Sequence, residues 1–200
     1  AAVSDTASAM VAKDGEIVKL FTPFQMKGAV ENWLNELTKC MQDTLCLYLD
    51  QALTAASSWD VDQPREEWAS VYAAQLALLG CQVVWTEETE TALEELENGA
   101  DDSLKKSLDV NNSRLEALIK EVQGELTKEL RNKIITLITI DVHSRDIVQA
   151  LIEKKVEGAQ DFAWQSQLRY MWDGDGKVVW IRITDFKCQY SFEYVGNCGR

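Results

Sequence analysis

The stretch "RNKIITLITIDVHSRDIVQALIEKKVEG", Arg131 to Gly158, decides the fold. Its centre, "IITLITIDV", is rich in β-branched residues and reads equally as a buried strand, which would make the protein α/β. Length and flanks arbitrate. No turn signal separates this run from "DIVQALIEKK", a helical pattern that stops at Gly158, so the spacing predicts one long helix. Its first half is apolar on most faces, which predicts burial on several sides and places Asp141, His143 and Arg145 on a central helix.

Working outward, "MKGAVENWLNELTKCMQDTLCLYLDQAL" sets Val30, Trp33, Leu34, Leu37, Met41, Leu45, Tyr48 and Leu49 at three- and four-residue steps, an amphipathic helix. In "SSWDVDQPREEW", Asp62 or Gln63 is placed as an N-cap and Pro64 in the first turn of the next helix. From Arg65 the pattern Trp68, Val71, Tyr72, Leu76, Leu79 and Val83 meets no breaker but Gly80 before Asn98-Gly99, predicting one helix of about 30 residues, roughly 45 Å long. A further seam runs from Leu104 through Leu115 and Leu118 to Leu126. "AQDFAWQSQLRYMW" reads as a short helix with Phe162, Leu168 and Met171 inward. "DGDG" is then a tight turn, "KVVWIRIT" is β-rich, and "FKCQYSFEYV" alternates with Phe186, Cys188, Tyr190, Phe192 and Tyr194 on one face. The expectation is a mainly α chain: a weakly patterned segment over 1–25, an elongated antiparallel helical bundle over 26–172, and a C-terminal β-hairpin over 173–200. The last strand still seeks a sheet, so the chain is expected to continue beyond Arg200.

Lys+Arg 20 against Asp+Glu 33 gives a formal net charge of -13. Such a surface repels nucleic acid, anionic membrane and the acidic face of a microtubule. Five cysteines form no C-x-x-C pair and find no histidine cluster to complete a zinc site, so they read as reduced thiols. The first residues lack a signal-peptide pattern, and no apolar run reaches membrane-spanning length. A soluble cytosolic chain is expected.

"IDVHSRD", Ile140 to Asp146, holds the single histidine among a serine, an arginine and two aspartates, the raw material of acid-base or nucleophilic chemistry. Helical spacing argues against catalysis. Asp141 is expected to meet Arg145 and His143 to meet Asp146, with Ser144 turned away from His143, which describes a register element. The "DGDG" turn resembles the start of a calcium loop, but Thr184 falls where the closing glutamate belongs. Gly176-Lys177 is followed by Val178 where a phosphate loop needs Ser or Thr. No catalytic, cofactor-binding or metal-binding residue is therefore predicted. Two rival readings are an acidic scaffold binding a basic protein through Glu87 to Asp102, and a hydrolase using His143.

Four stretches, "VENWLNEL", "REEWASVYAAQLALLGCQVVWTEETETAL", "IDVHSRDIVQALIEKKVEGAQDFAWQSQLRYMW" and "YSFEYVGNCGR", together resemble dynein heavy chains, more the axonemal than the cytoplasmic kind. The resemblance runs from Met26 to Arg200. It implies the C-terminal half of the linker, a helical arm lying across the motor ring, leading into the first AAA+ module. ATP and magnesium would then belong to the downstream motor. The implied partners are the chain's own ring and, through the parent, other heavy, intermediate and light chains and the microtubule; the implied location is the cytoskeleton of a cilium or flagellum. Under this resemblance Asp141, His143, Arg145 and Asp146 fix helix register, and Trp180, Tyr190, Phe192 and Tyr194 form the joint between linker and ring.

Overall fold

A computed structural model describes residues 5–56 and 65–196. Asp62, Gln63 and Pro64, and the closing Asn197 to Arg200, lie outside the described residues. The chain is mainly α. A hairpin of β1 (Thr6–Val11) and β2 (Ile17–Gln25) precedes α1 (Val30–Ala56), α2 (Arg65–Val71), α3 (Ala74–Glu97), α4 (Ser103–Val122), α5 (Lys128–Glu153) and α6 (Phe162–Gln165), and β3 (Arg169–Asp173), β4 (Val178–Ile183) and β5 (Phe186–Gln189) form an antiparallel sheet in that order.

Arg131 to Glu153 is helical throughout, within α5. Thr127 starts the helix, its Oγ1 accepting from the Leu130 N–H at 3.3 Å. Its buried positions are Ile134, Leu137, Ser144, Val148 and Leu151, with the shielded Asp141 between them, a single stripe at alternating three- and four-residue steps. Ile135 and Thr139 face solvent. The expectation that α5 is buried on several sides is thus wrong; that place belongs to α3, which touches α1, α4, α5 and β3. The sequence of α3 permits it, because Ala74, Ala77, Gly80 and Cys81 let neighbours approach closely. A Cβ on Gly80 would stand 3.4 Å from the Trp68 ring. Asn98-Gly99 ends α3, with Gly99 at φ +94°, and the short turn returns α4 antiparallel.

Further expectations are corrected. The helix from Arg65 is not continuous: it breaks at Tyr72-Ala73, where Ala73 is extended (φ -56°, ψ 147°), and Val71 is 73% exposed. The short helix does not reach Trp172. Asp161 caps it by accepting from the Ala163 N–H, Gln165 ends it by giving its carbonyl to Thr184, and "RYMWD" pairs as β3 with β4 across the "DGDG" turn. Trp164 is fully buried, while Phe162 and Leu168 face out. The expected hairpin is therefore a three-stranded sheet, and a boundary between 172 and 173 would cut β3. The expected alternation holds within β5, where Phe186 and Cys188 share a side although Phe186 is exposed, and it stops there, because the strand ends at Gln189 and Phe192 lies at φ +52°. Within the segment over 1–25, β1 and β2 form a hairpin whose Met10, Val18 and Leu20 join Leu45, Leu49, Leu76, Val179 and Phe192 in one core cluster.

Candidate functional site

Breaking a helix leaves carbonyls at the end of one half and N–H groups at the start of the other without partners. At Tyr72-Ala73 charged side chains from distant elements engage two of the carbonyls and one of the N–H groups. Lys133 of α5 donates from Nζ to the carbonyls of Ala69 (3.0 Å) and Tyr72 (2.8 Å) at the end of α2. Glu16, at the tip of the hairpin, accepts from the Ala74 N–H at 2.8 Å, so a carboxylate caps the positive end of α3. Glu16 and Lys133 face each other at 3.6 Å with both side chains mostly shielded. Burial holds the Lys133 ammonium below the ordinary lysine range, against the pull of Glu16.

The C-terminal segment is tied to the same place. Gln75 Nε2 donates to the Tyr190 hydroxyl (2.6 Å) and the Glu193 carbonyl (2.8 Å), and its Oε1 accepts from the Val195 N–H (3.2 Å). The Tyr194 hydroxyl donates to Glu16 at 3.1 Å, and Phe192 is buried in the core beneath. Burial raises the Tyr190 phenol, with the Gln75 bond acting the other way. Gly196 sits at φ +66° where a Cβ would meet the Ala12 Cβ at 2.3 Å, so the segment closes against the hairpin turn. A cleft of about 860 Å³ bounded by Asp14, Glu16, Ser70, Thr127 and Lys133 opens beside this joint. Glu16, Gln75 and Lys133 carried no signal in the sequence, since each gains its partners only through contacts at least 58 residues away in the chain.

No family model matches the chain. It is 40% identical over 96% of its length to the ciliary dynein beta chain of Tripneustes gratilla, and 39% identical over 96% to the flagellar outer arm dynein beta chain of Chlamydomonas reinhardtii. With axonemal dynein heavy chain 9 of Homo sapiens it shares 38% over 98%. The chain is homologous to axonemal dynein heavy chains. It spans 4% of the length of each of these relatives.

Within this dynein-homologous segment the residues of "IDVHSRD" do not pair as the helical spacing predicted. Asp141 reaches across to Arg65 of α2 at 2.6 Å, with both side chains mostly shielded, and Arg145 turns to its neighbour Asp146 at 2.5 Å. His143 is exposed, edging a groove of about 370 Å³ with Gln75, Ile140, Tyr170 and Val195. Ser144 is buried beside Gln82, 3.5 Å away, and Gln82 lines the same groove as His143. Of the residues assigned to a joint, Tyr190, Phe192 and Tyr194 come together, whereas Trp180 lies on the opposite face of the sheet with the Lys187 ammonium 3.7 Å over its ring.

The acidic run of α3 is partly consumed internally. Glu88 forms a two-pronged pair with Arg114 at 2.5 and 2.7 Å, Glu90 lies 3.5 Å from Arg169, and Glu97 accepts from the Ala159 N–H at 2.8 Å. Gly158 makes the last contact possible, because a Cβ there would fall 1.9 Å from the Glu97 carboxylate. Among the described residues no group of three or more His, Cys, Asp or Glu is placed to hold a metal ion, and no helix is long and apolar enough to cross a membrane.

Proposed function

We propose that this chain is the C-terminal half of the linker of an axonemal dynein heavy chain and acts as a mechanical lever. In the parent, ATP bound with magnesium in the first AAA+ module beyond residue 200 is hydrolysed, and the linker alternates between bent and straight states. Its relaxation drives movement toward the microtubule minus end and so ciliary or flagellar beating. The observation that carries this reading is the match to ciliary and flagellar dyneins along 96% of the chain. In this reading α1 to α6 form the helical body, and β3 to β5 lead toward the ring. The partners are the chain's own ring, and, through the parent, other dynein chains and the microtubule, at the axoneme.

The joint supplies a physical path for the lever. Force entering at Tyr190 to Val195 reaches α3 through Gln75, and the hairpin and α5 through Glu16 and Lys133. In a motor containing this segment, Gln75→Leu combined with Tyr194→Phe is expected to slow microtubule gliding several-fold while ATP turnover stays within a few-fold of native. Unchanged gliding velocity discards the lever joint. His143 shares a groove with Gln75, Tyr190 and Val195 but is absent from the hydrogen bonds of the path, so His143→Ala is expected to leave ATP turnover within a few-fold; abolished turnover in a folded motor would restore a catalytic reading of "IDVHSRD".

A further inference from the structure

One face of the C-terminal sheet carries three cations in one row, running from buried Arg169 to exposed Lys187. Arg169 pairs directly with Arg182, and Arg182 with Lys187, so the three side chains emerge on the same face of neighbouring strands. Directly opposed residues in an antiparallel pair stand about 5 Å apart, and like charges there are destabilising. The chain has a net charge of -13, so nothing in its composition calls for a cationic row. Glu90 is the one carboxylate paired with it among the described residues, at 3.5 Å from Arg169.

The surroundings are short of acceptors. Arg169 is only 3% exposed, and its Nε and that of Arg182 are buried with no hydrogen-bond partner. The same holds for Nε1 of Trp164, whose ring lies 6.0 Å from the Arg169 guanidinium, and for Nε1 of Trp85, packed edge-on against Trp164 at 5.5 Å. Two of these unpartnered donors, the Nε atoms of Arg169 and Arg182, belong to the row itself. Unpaired donors of this kind each cost stability, and a concentration of them calls for a missing acceptor.

We infer that the Arg169, Arg182 and Lys187 row, with the orphaned donors behind it, is a binding site for a phosphate-type dianion. Glu90 offsets one of three positive charges, leaving about two; a phosphate group carries about -1.5 to -2 near neutral pH and offers several acceptor oxygens. A single carboxylate would balance half of that. The guanidinium forks suit a tetrahedral oxyanion, and Lys187, exposed at the open end with its ammonium over the Trp180 ring, adds a point charge.

The test is thermal unfolding of the full chain, followed by circular dichroism, in millimolar inorganic phosphate against sodium chloride of equal ionic strength. Native chain, Arg182→Gln and Lys187→Gln are compared, since any chain gains a little from phosphate as a solute. The native midpoint is expected to rise saturably. Arg182→Gln should unfold no earlier than native in chloride, because a like charge is gone, yet lose most of the phosphate shift. Lys187→Gln should keep an intermediate shift. Phenyl phosphate separates the sources: a shift equal to that of the free ion assigns a phosphoryl group carried on a larger molecule, and none assigns the free ion. A native midpoint indifferent to phosphate overturns the site, as does a shift that survives both substitutions. So does an Arg182→Gln chain equally destabilised in both salts, which would assign Arg182 to packing.

Discussion

Helix α5 and the pair α2 and α3 make an instructive contrast. The first is rich in β-branched residues, has the weaker helical propensity, and runs unbroken for 26 residues. The second, with alanines, leucines and glutamates and no proline inside, breaks at Tyr72-Ala73. Propensity differences are tenths of a kcal/mol per residue, while satisfying or orphaning a buried backbone group is worth about 1 to 3 kcal/mol. Lys133 and Glu16 supply the partners that make the break tolerable, and nothing interrupts α5 because its stripe already faces α2, α3 and α4 in register. Continuity is decided by where the backbone groups find partners.

The largest effect is expected in the seam of the unbroken helix. Asp141→Ala leaves the Arg65 guanidinium, mostly shielded from water, facing an empty position, and breaking a shielded pair costs about 3 to 5 kcal/mol. Urea unfolding of Asp141→Ala against native measures it, and a loss below about 1 kcal/mol would show that the pair contributes little to holding α2 on α5. At the break, Glu16→Ala removes the cap of α3, the Tyr194 bond and the partner of Lys133. Its expected cost is smaller, about 2 kcal/mol, because the vacated space adjoins an open cleft that water can enter. Amide exchange localises it: the Ala74 N–H should lose protection while Val148 in α5 keeps its own.

Much of the architecture was legible because long periodic segments and their stops are local. Asn98-Gly99 ends a helix where it falls in the sequence, and the stripe Leu45 and Leu49 is buried as its spacing requires. Gly158 does not end α5, which stops at Glu153, with Lys155 taking the left-handed turn at φ +53°. The break at Tyr72 was illegible, since its cause lies in Glu16 and Lys133. The N-terminal hairpin buries only Met10, Val18 and Leu20, too short a face to register as alternation, and "RYMWD" became a strand through pairing with "VVWIR". At Asp141 the helical rule named Arg145, four residues on, but Asp141 sits on the inward seam where Arg65 waits, while Arg145 bonds its exposed neighbour. Of the expected joint, the aromatic trio in 190–194 was readable as a set, and its polar partner Gln75 was not.

The smallest effect sharpens the contrast between seam and break through one thiol. Cys81 of α3 is buried beside the Arg65 and Asp141 pair, and burial pushes its thiol up to about 12, with Arg65 pulling the other way. An acid whose folded pKa is raised favours the folded state fully below the unfolded value, near 9, and that contribution is lost as pH rises toward 12. Native stability should therefore fall across that alkaline window, and Cys81→Ala should flatten the slope. At neutral pH a thiol reagent should modify half-buried Cys40 well before Cys81. Asp141→Ala, which loosens the seam, should speed the Cys81 reaction, whereas Glu16→Ala should leave it slow. If both substitutions expose Cys81 alike, the seam and the break open together, and the joint at Tyr72-Ala73 is one cooperative unit with α5 rather than a separable hinge point.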